Sequence, residues 1–217
     1  MVHQVFTVSQ MRPIRDAMTV SRSAGLGGDI GVTWFSLGAG TSISRESYDC
    51  TVLYLGAEGS ADYLVGEPPR QVSVGPCGLL AVPGGMLCGV ETAEGFVYTE
   101  ILLKKESIMN AAVKPGEVMY LKDLISYEEG SIANLDIVHN DTMKFVLMAF
   151  DAGTGLSPHR APGNAIVFAL DGEAVIGYEG EDHTIRAGEC FRFEKNGLHS
   201  VTANGRFKMA LLLVLQE

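Results

Sequence analysis

Two hundred and seventeen residues, 47% of them hydrophobic and 19% charged, are enough to bury a proper core and exclude a disordered tail or a fibre. Sixteen basic against twenty-six acidic residues give a net charge of −10, a field that repels phosphate backbones and anionic bilayers, so neither nucleic acid nor membrane is expected as a partner. The first twenty residues carry Arg12, Arg15 and Asp16 without an apolar leader run, and the longest apolar run, Met209–Leu215, is far short of a bilayer span; the expectation is a cytoplasmic chain with reduced thiols at Cys50, Cys77, Cys88 and Cys190.

In chain order, Gly25–Gly31 comes first and has the wrong glycine spacing for a dinucleotide fingerprint. Val32–Leu37 reads as a strand and runs into Gly38-Ala39-Gly40-Thr41-Ser42-Ile43-Ser44. That segment lies over Asp151-Ala152-Gly153-Thr154-Gly155-Leu156-Ser157 at an offset of 113, which also places Val32–Leu37 on Phe145–Phe150 and Gly59 on Gly172. A loop two residues longer in the first copy, near Gly66–Arg70, changes the offset to 111, at which Leu79–Val82 matches Cys190–Phe193 and Phe96–Leu103 matches Phe207–Val214. Register kept across several segments reads as a tandem repeat. Lys104–Glu117 is the connection, and the boundary is drawn at residue 112, giving units 1–112 and 113–217.

The second copy predicts strands over Lys144–Phe150, Ala165–Leu170, Glu173–Tyr178, Thr184–Arg186, Cys190–Glu194, Ser200–Thr202 and Phe207–Leu215. Turns are expected between them at Asp171-Gly172, Glu179–Asp182, Asn196-Gly197 and Asn204-Gly205, where the residue types tolerate positive φ. Many short strands with Gly-rich turns and no long amphipathic helix argue an all-β chain of sandwich or barrel type. On the Cys190–Glu194 strand, Phe191 and Phe193 should face the core, which turns Arg192 and Glu194 outward. His183 sits in an acidic hairpin and is expected to be exposed, while His3 and His139 have no partner pattern.

Two histidines do fall at informative places. Gly188, Glu194, Asn196 and His199 keep the glycine and histidine of a G-x5-P-x-G-x2-H pattern, and His159-Arg160-Ala161-Pro162-Gly163-Asn164-Ala165 precedes a strand that closes on Gly172. These segments resemble the two motifs of the cupin family, and the first is similar to the H-x-A-P-x-D-A run of some small cupins, with Asn164 for the aspartate. The resemblance implies two tandem double-stranded β-helix (jelly-roll) barrels, with metal ligands on facing strands of each. His159 and His199 hold ligand positions, but Ala161 and Ala165 stand where a histidine and a glutamate are expected. The candidate site is therefore His159 and His199, as acid–base groups or as ligands of one divalent metal (Fe, Mn, Ni, Co or Zn), with Asn164 and Arg160 as ligand-binding residues. In the first copy the repeat places Glu46 on His159, Tyr48 on Ala161, Thr51 on Asn164 and Cys88 on His199, beside a better preserved Pro83 and Gly85. Glu46 and Cys88 would ligate at most a soft metal, and the plainer reading of this copy is structural.

Three function classes stay open on these residues. One is a binder of a small polar or anionic metabolite in the C-terminal barrel. Another is a metal-dependent isomerase, lyase or decarboxylase, with dioxygenase chemistry ranked lower because it wants more protein ligands. The last is a structural protein with empty barrels. The partner expected is a small molecule, and the barrels should pack against each other as a pseudo-dimer, in a monomer or a homodimer.

Overall fold

The computed structural model describes residues 5–27 and 31–215. His3 and the middle of the Gly25–Gly31 run lie outside them. Period-two alternation and turn-forming glycines produce eighteen strands among the described residues and very little helix. A four-residue helix, α1 (Val8–Met11), opens the described chain and is capped reciprocally by Thr7 and Gln10. The first half contributes β1 (Thr19–Ser23), β2 (Val32–Leu37), β3 (Ser42–Glu46), β4 (Val52–Gly59), β5 (Ala61–Val65), β6 (Arg70–Val74), β7 (Gly78–Val82), β8 (Cys88–Glu91) and β9 (Phe96–Leu102). Short β10 (Ile108–Met109) and β11 (Val118–Tyr120) follow in the connection. The second half adds β12 (Ile132–Asn140), β13 (Met143–Phe150), β14 (Gly155–Arg160), β15 (Gly163–Tyr178), β16 (Glu181–Arg186), β17 (Cys190–Phe193) and β18 (Leu198–Leu215). No helix among the described residues is long and apolar enough to cross a membrane.

The strands form two antiparallel barrels, as expected for the fold class. In the first, β1-β2-β9-β4-β7-β11 faces β3-β8-β5-β6; in the second, β10-β12-β13-β18-β15-β16 carries β14 on β18 and β17 on β15. Two expected turns are corrected. Asp171-Gly172 and Asn204-Gly205 do not end strands; both lie inside the long β15 and β18. Register shifts on either side of Asp171-Gly172 mark bulges that bend β15 around the barrel corner, and only glycine fits there: Gly172 has φ 72° and a Cβ would collide with the Arg206 carbonyl.

Each barrel encloses its own interior. Tyr54, Tyr63, Phe96 and Tyr98 fill the first, and Phe150, Ile176, Phe191, Phe193 and Phe207 fill the second. A third cluster belongs to both: Trp34, Leu53, Leu79 and Ile101 on the outer face of one sheet pack against Phe145, Ile166, Leu212 and Val214 on the outer face of the other. Strands are exchanged around residue 112. β10, before it, pairs with β12 of the second sheet, whereas β11, after it, pairs with β7 of the first. The N-terminal segment crosses over as well: Phe6 exchanges backbone hydrogen bonds with Cys190 at 3.0 and 2.7 Å. Arg192 does point out of its own barrel, yet not into water. Its side chain is only 15% exposed and donates from Nη1 and Nη2 to the carbonyls of Ala24 and Gly25, each at 2.8 Å. His183 is half-buried, its ring centroid 5.0 Å from that of Phe191, because it faces inward along β16.

Candidate functional site

β14 and β18 run antiparallel, and their register sets His159 directly opposite His199. The ring centroids are 4.3 Å apart at an interplanar angle of 52°. His199 is 7% exposed because Phe193 stacks on it at 4.1 Å, whereas His159 lies open at the barrel mouth. Each ring is fixed by the backbone two residues before it: Nδ1 of His159 is 2.8 Å from the Ser157 carbonyl, and Nδ1 of His199 is 3.0 Å from that of Gly197. A carbonyl only accepts, so Nδ1 carries the proton, and in the neutral rings both Nε2 lone pairs are left for a ligand. Burial holds His199 below the usual histidine pKa, the neighbouring His159 charge acts in the same direction, and the Gly197 carbonyl opposes them.

The other two site candidates are engaged with backbone. Asn164 is buried; its Nδ2 donates to the Leu26 carbonyl at 2.9 Å, and its Oδ1 accepts from the Lys195 amide at 2.7 Å. Its amide thus ties the N-terminal segment to the second barrel and has no group turned to the imidazoles. Arg160 donates to the Asn196 carbonyl and lies 3.5 Å from the Glu179 carboxylate, a half-exposed ion pair at the edge of the mouth. Among the described residues no group of three or more His, Cys, Asp or Glu side chains converges as a metal centre would. Two imidazole nitrogens are one protein ligand short of the usual catalytic set, so these residues do not fit a self-sufficient metal site.

The first barrel repeats the geometry with different chemistry. Glu46 on β3 stands opposite Cys88 on β8, as His159 stands opposite His199. Beneath them is a cavity of about 60 Å³ lined by Glu46, Tyr54, Tyr63, Cys88, Tyr98 and Glu100, with Tyr48 at the rim. Sequence reasoning passed over Glu100 and the three inner tyrosines. Their signal was a carboxylate inside the apolar strand Phe96–Leu103, where burial of a charge calls for a reason. Glu100 is 7% exposed, and desolvation pushes its carboxyl up to about 7.

Residues 146–215 match the family model described as a Cupin domain. The whole chain superposes on a Cupin 2 conserved barrel domain protein from Leptotrichia buccalis with a TM-score of 0.85, 23% identity, and 97% and 96% of the two chains covered. The fold is a cupin fold. A salicylate 1,2-dioxygenase from Pseudaminobacter salicylatoxidans shares it at a TM-score of 0.67 and 13% identity, over 98% of this chain and 84% of that one. No curated protein matches the sequence. The family match covers the strands that carry His159 and His199, while for the first barrel the likeness is one of fold alone.

Proposed function

We propose that the chain is a bicupin whose C-terminal barrel binds a small polar or anionic metabolite at His159 and His199. One observation carries this reading: two facing imidazoles, each locked through Nδ1 to a backbone carbonyl, with both Nε2 atoms free at a barrel mouth. A pair held so costs little further ordering when a ligand arrives. His159 lies open to solvent, His199 is held toward its neutral form by burial and presents an Nε2 acceptor to a polar group of the ligand, and Arg160 adds a cation beside the mouth. Imidazoles can also take up and release a proton, which keeps isomerase or lyase chemistry within the same site.

A second reading rests on the same nitrogens. A divalent metal held by both Nε2 atoms would need the ligand itself to complete its coordination, and metal binding would then depend on that ligand. The chain is taken as cytoplasmic, and as a monomer or a homodimer of paired barrels.

The test is a titration with malonate and with inorganic phosphate, followed through the ¹⁵N resonances of the two imidazoles, alongside the metal content of untagged protein. We expect the Nε2 resonances of His159 and His199 to move with at least one of these anions, the response to vanish in His159→Ala/His199→Ala, and metal to stay well below one equivalent. About one equivalent of Fe, Mn, Ni, Co or Zn, lost in the double variant, would replace the first reading with the second. Resonances unmoved by either anion, together with sub-stoichiometric metal, would sink both.

A further inference from the structure

The first barrel contains a polar floor that its sibling lacks. Glu100 on β9 pairs in register with Tyr54 on β4, and the corresponding pair in the second barrel is Leu211 with Val167. At the repeat offsets, Tyr63 corresponds to Ile176 and Tyr98 to Met209. Apolar side chains at these positions serve the second barrel as core. Their polar replacements in the first barrel are therefore not required by the architecture.

Two of those replacements are deeply buried, and the Tyr63 hydroxyl has no partner. Glu100 is 7% exposed, and its carboxyl is desolvated. Tyr63 is 1% exposed and its hydroxyl bonds to nothing. A desolvated carboxylate and a buried phenol without a hydrogen-bond partner each cost free energy, and a ligand that pairs with both lowers that cost. The lining also fixes that ligand's charge. Two carboxylates, four phenols counting the rim, and one thiol face the space, and no lysine, arginine or histidine does. Carboxylates only accept hydrogen bonds, and tyrosine faces attract cations. The missing element is a positively charged donor.

We propose that the N-terminal barrel is a second ligand site, for a small organic ammonium ion held by the Glu100 carboxylate at the floor, the rings of Tyr54, Tyr63 and Tyr98 around it, and Glu46 at the mouth. The ammonium nitrogen offers up to three donors, enough to reach Glu100 and the Tyr63 hydroxyl and to leave one for Glu46 or solvent. A cavity of about 60 Å³ admits a head group of roughly four heavy atoms, at the ~10–15 Å³ that one water-sized atom occupies in this measure. An anion would meet two carboxylates in a low-dielectric space and be rejected.

The charge state follows from the groups that face Glu100. Glu46 comes from β3, Tyr48 from the loop after it, Tyr54 from β4, Tyr63 from β5, Cys88 from β8 and Tyr98 from its own strand. Burial raises all four phenols above their usual range and pushes the Cys88 thiol up to about 11, so these five stay neutral when Glu100 ionises near 7. Binding of a cation should accordingly strengthen as pH rises from 6 to 8.

The experiment is ligand-observed NMR on the full chain at pH 8 with ethylammonium, and with ethanol and acetate as neutral and anionic probes of similar size. Ethylammonium should bind, acetate should not, and ethanol should bind at least tenfold more weakly. Glu100→Gln should weaken ethylammonium at least tenfold, Tyr63→Phe about threefold, and His159→Ala/His199→Ala should leave it unchanged, which separates this site from the imidazole site. Circular dichroism checks that each variant is folded; should Glu100→Gln fail to fold, Tyr63→Phe and the probe comparison decide. Equal binding of the three probes, no ethylammonium binding at 100 mM, or full affinity in a folded Glu100→Gln would each overturn the proposal.

Discussion

The two barrels place side chains at equivalent points and give them opposite chemistry. At the mouth, Glu46 faces Cys88 in the first and His159 faces His199 in the second. At the floor, Glu100 beside Tyr54 stands where the second barrel has Leu211 beside Val167. One barrel is polar at its floor; the other carries its titratable pair at the rim above apolar side chains at the equivalent floor positions. Strand register decides where side chains converge, and residue identity decides what they do there, so a shared cupin fold does not carry one barrel's function over to the other.

The barrels are separate chemical units on one folding unit, and loss of packing in the cluster they share has the largest effect expected. Phe145 is fully buried in the cluster shared by both sheets. Phe145→Ala should cost about 3–5 kcal/mol, as a large-to-small change in a close-packed core does. It should also lower the transition of the whole chain, read in the first barrel by near-ultraviolet dichroism of its tyrosines and overall by far-ultraviolet dichroism. If the tyrosine signal kept its parent midpoint while the far-ultraviolet transition split, the barrels would be thermodynamically separate.

The second prediction sharpens the contrast at the floors. Glu100 has its folded pKa raised from 4.5 to about 7, so the protonated acid is the form favoured by folding. The associated stability is intact below pH 4.5 and is lost as pH rises to about 7. Without amine present, Glu100→Gln should therefore match the parent near pH 4.5 and exceed it by about 3 kcal/mol at pH 8, from 1.36 kcal/mol per pKa unit. Urea unfolding at the two pH values measures it. Leu211→Gln at the equivalent position has no such compensation and should destabilise at both.

Much of this is legible in the sequence, and what is not has physical causes. The barrel class follows from many short strands between Gly-rich turns, and the resemblance to the cupin family implied His159 and His199 on facing strands, where β14 and β18 set them opposite each other. The turn at Asp171-Gly172 was misjudged because a positive-φ glycine serves a bulge as readily as a hairpin, and sequence alone does not separate them. Arg192 was expected at an outer surface, and it is at one, but the segment Ala24–Leu26 from the far end of the chain covers it; contacts between residues about 168 positions apart leave no local pattern. Glu100 was overlooked because its neighbours read as an ordinary core strand. The cue was the carboxylate itself.

Asn164 gives the next prediction, at a smaller scale. Its amide joins Leu26 and Lys195 by two buried hydrogen bonds, so Asn164→Ala leaves a backbone carbonyl and an amide without that partner and should cost about 1–3 kcal/mol. Asn164→Asp separates structure from ligand binding. The acid keeps the acceptor for Lys195 but loses the donor to Leu26, so it too should destabilise, whereas a residue acting only on ligand would leave unfolding unchanged. Amide exchange over Ala24–Leu26 should speed up in both variants.

The smallest expected effect lies at the mouth of the second barrel. His199 has its folded pKa lowered, because burial against Phe193 and the charge of His159 outweigh the opposing Gly197 carbonyl. The neutral imidazole is thus the form favoured by folding, and its stability is present above the ordinary histidine pKa of about 6.5 and lost as pH falls through the folded value. Opposed causes leave only a modest net shift, so the drop should be the least of the four and visible only by difference. His199→Gln keeps a polar side chain without the titration, and its unfolding free energy should run parallel to that of the parent above pH 7 and fall less below pH 6. Identical slopes below pH 6 would mean that His199 titrates as a solvent-exposed imidazole does, and the argument for a desolvated nitrogen beside an open one would lose its basis. A reduced slope, joined to the Glu100 result, would place the two barrels' titrations on opposite sides of neutrality: the first loses stability as pH rises toward 7, the second as pH falls below it.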